Sequence, residues 1–135
     1  LQLASSVTRT ATDQWRYDIS VMNLTFDRGI DGFDIPFPEN ASLSTVQFYD
    51  GDTDPANDWV ITIVPGQISF RAPDGVSLKW GSLASFRFVA DSAPVEVTAA
   101  LGVATEGDPA GLAARTFTAV EVLFRDGFES AVGNN

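Results

Sequence analysis

A chain of 135 residues, 44% apolar and 11% aromatic, is long and hydrophobic enough to bury a core of its own as one domain. Eighteen acidic side chains against eight basic ones leave a net charge of -10, which disfavours phosphate backbones and anionic lipid headgroups and suits cations, neutral glycans or other proteins. With no histidine and no cysteine, the sequence excludes disulfides, thiolate zinc sites and the imidazole on which most nucleophilic hydrolases depend.

In chain order, Leu1, Leu3 and Val7 alternate ahead of the strongest strand signal, Trp15, Tyr17, Ile19 and Val21. A period of two places these four on one face and Arg16, Asp18, Ser20 and Met22 on the other. Phe33, Ile35 and Phe37 alternate next, followed by Val46 and Phe48, by Trp59, Ile61 and Ile63, and by Ile68, Phe70 and Ala72. The turn chemistry of Ala72-Pro73-Asp74-Gly75 predicts a hairpin that pairs residues 67–72 with 76–80. Phe86, Phe88 and Ala90 then alternate, as do Val95, Val97, Ala99, Leu101 and Val103, and the last clear strand carries Val120, Val122 and Phe124. Only Pro109 to Ala114 hints at a helical turn, or else at a loop leading into the last strand.

About nine short strands separated by Pro, Gly, Asp and Asn clusters predict an all-β fold, an immunoglobulin-like antiparallel β-sandwich of about 8–10 strands, over a single domain spanning 1–135. No apolar run approaches the roughly 18 residues of a membrane-spanning helix. The chain begins at Leu1 rather than methionine, which fits a mature product after removal of a signal.

The densest functional-looking stretch runs from Asp50 to Asp58, with Asp50, Asp52, Asp54, Asn57 and Asp58 as candidate calcium ligands because calcium takes several oxygens from a bending loop. Pro55 occupies the place where a twelve-residue calcium loop needs glycine, and Ile61 the place where it needs a bidentate glutamate. An acidic turn that solubilises two hydrophobic strands is the plainer account. No other cofactor is expected.

Paired carboxylates can hydrolyse a glycosidic bond without histidine, but Asp31, Asp34 and Asp74 lie in or beside turns, and Glu96 and Glu121 sit on the solvent side of strands. Gly81-Ser82-Leu83-Ala84-Ser85 lacks the last glycine of a nucleophile elbow, and Lys79 is the one lysine available to a serine–lysine dyad. The residues therefore point away from an enzyme.

Three tryptophans and two tyrosines are candidates for a glycan platform. Trp15 and Trp59 run in phase with aliphatic strand neighbours, which assigns them to the core, so Trp80 and Tyr49 are the better exposed candidates. The sequons Asn23-Leu24-Thr25 and Asn40-Ala41-Ser42 are too short a pattern to carry weight.

Both ends carry apolar alternation that can add a strand to a sheet edge: Leu1, Leu3 and Val7 in residues 1–12, and Val122, Phe124 and Phe128 leading into residues 125–135. Closing its own sandwich is one use of such a strand; exchange with a neighbour would build a filament. Leu123-Phe124-Arg125-Asp126-Gly127-Phe128-Glu129 resembles a tail at the C-terminus of many exported proteins of Gram-negative bacteria, and Gln14 to Asn23 is similar to an early strand of uncharacterised secreted β-sandwich modules. The resemblance implies export and fold class, and no catalytic residue.

The sequence thus predicts a non-catalytic extracellular or cell-surface protein, with a self-assembling structural subunit as the leading role. The expected partners are further copies of the chain, with no nucleic acid and no membrane span. The alternative is a glycan-binding module of a secreted protein, which would place function in an exposed aromatic cluster rather than in edges and termini.

Overall fold

A computed structural model describes residues 1–107 and 109–119. Nine strands run β1 (Gln2–Ala11), β2 (Gln14–Asn23), β3 (Ile30–Pro36), β4 (Leu43–Tyr49), β5 (Val60–Val64), β6 (Gln67–Arg71), β7 (Ser82–Ala90), β8 (Pro94–Val103) and β9 (Gly111–Ala119). They form two antiparallel sheets, one ordered β1-β2-β7-β4 and the other β5-β6-β3-β8-β9. Without the β5–β6 hairpin, the neighbour orders are those of the seven-stranded immunoglobulin sandwich, and the hairpin enlarges the second sheet beside β3. The expected all-β sandwich is the fold of this chain.

The alternation of two builds the core. Tyr17, Ile19 and Val21 of β2 and Ala84, Phe86, Phe88 and Ala90 of β7 are buried, facing Phe33, Ile35, Ile68, Phe70, Ala99 and Leu101 of the other sheet. Phe86 joins the layers, its ring centroid 4.6 Å from both Phe33 and Phe70, while Tyr17 stacks on Phe88 at 4.7 Å. The Tyr17 hydroxyl donates to the Ser92 carbonyl at 2.7 Å, and burial pushes its pKa well above the usual tyrosine range.

Two expectations are corrected. Residues 67–71 do not pair with 76–80, because β6 is already flanked by β5 and β3. The Pro73 turn does form, with Val76 N–H donating to the Pro73 carbonyl at 2.9 Å, but the chain then crosses to the opposite sheet and touches β3 only at an Ile30–Leu78 bridge. Residues 111–114 are neither helix nor loop: they open β9, paired with β8 from Gly102↔Gly111 to Pro94↔Ala119. Small alternating residues hid this strand from a hydrophobicity pattern. Val120 and the residues after it, including Glu121, lie outside the described residues.

Candidate functional site

The first strand settles where Leu1, Leu3 and Val7 go. β1 forms a hairpin with β2 of the same chain, from Gln2↔Met22 to Ala11↔Gln14, and all three side chains pack against the core. This N-terminal segment is the edge strand of its sheet, paired with β2 of the same chain. Val122, Phe124 and Phe128, together with the 125–135 segment, lie outside the described residues.

The acidic loop is ordered by its own backbone. Asp50 accepts from the N–H of Asp52 at 3.2 Å, Asp52 from that of Asp54 at 2.7 Å, and Asp54 from that of Ala56 at 3.0 Å. Asn57 Nδ2 donates to the second Asp52 oxygen at 2.9 Å. This bond and the Asp54 N–H hold the Asp52 carboxyl below the usual carboxylate range. These are consecutive Asx turns, and among the described residues no group of three His, Cys, Asp or Glu side chains gathers that could hold a metal ion. Asp58 is exposed at the loop's end, before the buried Trp59.

Tyr49 and Trp80 are exposed, 44% and 72% respectively, while Trp59 is buried and Trp15 half-buried against the core. A groove opens beside Tyr49 because the two strands are out of step. Pairing of β4 with β7 ends at Tyr49↔Ser85, whereas Ser82, Leu83 and Ala84 pair on their other side with β2. The resulting space, about 560 Å³, is lined by Tyr49, Asp50 and Gly51, by Val76, Ser77, Leu78 and Gly81, and by Phe48 and Trp59. Those last two rings stack at 5.6 Å. A second hollow of about 540 Å³ lies on the acidic-loop side of Tyr49 and reaches Asp52, Thr53, Pro55 and Asp58.

Register explains how Tyr49 is held. Asp18, Arg87 and Gln47 stand side by side across β2, β7 and β4, and the next row is Ser20, Ser85 and Tyr49, all on the outer face of the sheet. Asp18 takes Arg16 at 2.9 Å and Arg87 at 2.5 Å, and the Arg87 guanidinium lies 5.5 Å from the Tyr49 ring centre. The Tyr49 hydroxyl donates to Gln47 Oε1 at 2.8 Å, and Ser20 and Ser85 hydroxyls meet at 2.9 Å. Tyr49 is thereby fixed in place before any ligand arrives.

Asn23 anchors the backbone on either side of Trp80. Fully buried, it donates from Nδ2 to the carbonyls of Phe26 at 2.7 Å and Leu78 at 3.0 Å, and its Oδ1 accepts the Phe26 N–H at 2.8 Å. Its own carbonyl accepts the Gly81 N–H at 2.6 Å. Leu78 and Gly81 flank Lys79 and Trp80, so the loop is anchored on both sides of the exposed indole. Gly81 has φ of 80°, a left-handed conformation that a side chain would strain. The alternation of β2 placed Asp18 and Arg16 on the outer face, but their union with Arg87, Gln47 and Tyr49 depends on strand order, which the sequence did not disclose.

This geometry defines a β-sandwich with an open groove lined by the exposed Tyr49. No protein-family model matches the chain, and no curated protein matches its sequence. Among solved structures, the collagen-binding domain of a Staphylococcus aureus adhesin is similar at a TM-score of 0.55 and 9% identity, over 87% of this chain and 95% of that one. A GH20 exo-β-N-acetylglucosaminidase from Vibrio harveyi, solved with N-acetylglucosamine, is similar at a TM-score of 0.52 and 15% identity over 88% of this chain. The chain spans only 17% of that enzyme's length. These likenesses show the sandwich fold.

Proposed function

We propose that this chain is a non-catalytic glycan-binding module of an exported protein, taking a neutral saccharide in the groove beside Tyr49 with Trp80 as a second stacking surface. The observation that carries this reading is the exposed, side-chain-anchored Tyr49 in a groove lined by Asp50, Ser77, Ser82 and Ser85, with the exposed Trp80 on the loop whose Leu78 and Gly81 border it. Sugar rings present apolar C–H faces to aromatic rings and hydroxyls to carboxylates and serines, so both halves of the recognition chemistry are present. The net charge of -10 and the neighbouring Asp50 and Asp52 favour neutral over anionic glycans.

Catalysis on the glycan is disfavoured by the carboxylates themselves. Asp50, Asp52 and Asp54 accept backbone N–H bonds, Asp18 and Asp34 hold arginines, and Glu96 pairs with Arg115. A sandwich shared with an adhesin domain and with a portion of a glycosidase supports presentation of a binding surface. Secretion remains part of the proposal, supported by the exported-protein resemblance of the C-terminal sequence.

Calorimetric titration against a panel of neutral oligosaccharides, N-acetylglucosamine oligomers among them, tests the reading. Binding to at least one neutral glycan, weakened tenfold or more by Tyr49→Ala or Trp80→Ala, is expected; equal binding by wild type and both variants would sink it.

A further inference from the structure

The edge strand β5 is unprotected. Natural sheet edges carry charges, prolines or bulges that block pairing with another chain, yet Val60-Ile61-Thr62-Ile63-Val64 has none, and among the described residues pairs along one side only, with β6. Val60 and Ile63 are each 59% exposed and Val64 41% exposed. The five residues also read the same in both directions about Thr62.

We propose that β5 pairs antiparallel with β5 of a second copy about a two-fold axis at Thr62, joining two five-stranded sheets into one. In that register Val60 faces Val64, Ile61 faces Ile63 and Thr62 faces its own counterpart, so every cross-strand pair is apolar with apolar or hydroxyl with hydroxyl. A two-fold interface requires such self-complementarity, and a palindromic strand supplies it. Charge agrees: although each copy carries -10, continuing the register sets Asp58 opposite Gly66 and Trp59 opposite Pro65, so no carboxylate meets another across the axis.

So short a strand covers less than the roughly 800 Å² per partner of a standard interface, so the dimer is of the weak class and forms at high micromolar concentration. Because Trp59, which lines the groove, leads directly into β5, each dimer carries two grooves, one on each copy. Avidity for a polymeric ligand follows, whatever that ligand is.

Sedimentation velocity across a concentration series, with single cysteines as register probes, tests the pairing. Wild type should pass from monomer to dimer and stop there, and Thr62→Lys, which sets two ammonium groups face to face on the exposed side of the strand, should weaken association at least ~100-fold with the melting midpoint unchanged. In a chain with no other cysteine, Thr62→Cys should form a disulfide dimer on mild oxidation; Val60→Cys alone should not, but should cross-link when mixed with Val64→Cys. A wild type that stays monomeric to about 1 mM, growth beyond two copies, or equal cross-linking by Val60→Cys and Thr62→Cys would overturn the proposal.

Discussion

The side-chain amide of Asn23 donates to the carbonyl of Leu78 at 3.0 Å, joining the end of β2 to a crossover 55 residues later in the chain. That one amide also accepts from Phe26, so replacing it strands several buried polar groups at once. Asn23→Ala should lower unfolding free energy by about 2–4 kcal/mol in urea titration. The same variant should weaken glycan binding even where folding is restored by low temperature, since the backbone around Trp80 loses its anchor. Unaltered stability would mean that the bond is replaced by water at no cost.

Phe86 touches Phe33, Phe48, Trp59 and Phe70, and so carries the contact between the sheets. Phe86→Ala should cost about 3–5 kcal/mol, a large part of the stability of a domain this size. Phe86→Leu should cost less than half as much, and a comparable loss from both would argue against a packing origin.

The pH dependence of stability has an identifiable source in Asp34. Burial raises its pKa, but hydrogen bonds from Arg71 and Ser69 and the Arg71 charge outweigh burial and hold the carboxyl below its usual range. A depressed folded-state pKa stabilises the protein above the unfolded value of about 3.9, and this contribution fades as pH falls through the folded value. Arg71 is half exposed, so the pair contributes no more than about 1 kcal/mol. Asp34→Asn should flatten the stability profile below about pH 4 and leave its shape between pH 5 and 8 unchanged.

Calcium should leave the melting midpoint where chelator leaves it, because among the described residues no three acidic side chains gather as a group that could hold the ion. A ligand binding only the folded state must raise that midpoint, so an increase at millimolar calcium would restore the loop as an ion site.

Fluorescence separates the three tryptophans. Trp80→Phe should remove most of the acrylamide-quenchable emission, leaving a blue-shifted signal from the buried Trp59 and half-buried Trp15. A neutral glycan in the groove should protect wild-type emission from the quencher.

Sequence pattern revealed the layers better than their connections. Tyr17, Ile19 and Val21 announced a core face because burial imposes a period of two, and the same logic separated Trp59 from the exposed Trp80 and Tyr49. β9 escaped notice because Ala113, Ala114, Thr116 and Thr118 carry little hydrophobic contrast. The 67–80 segment departs from its expected pairing for another reason: turn residues fix a local bend but do not choose which strand stands alongside. The groove depends on a mismatch in length between β4 and β7, a relation between segments more than thirty residues apart that no local signal encodes.

That dependence on distant pairing also governs how the chain reaches its fold. β2 has β1 beside it at once, but its other edge waits for β7, as the Ser20–Ser85 hydroxyl contact across 65 residues shows. Closing so large a loop before the aromatic core can condense places folding on the millisecond-to-second scale of non-local β-proteins. During that interval the β5–β6 hairpin can form locally with its bare apolar edge exposed, so the segment that would join two finished molecules is also the one most exposed to premature association between unfinished ones.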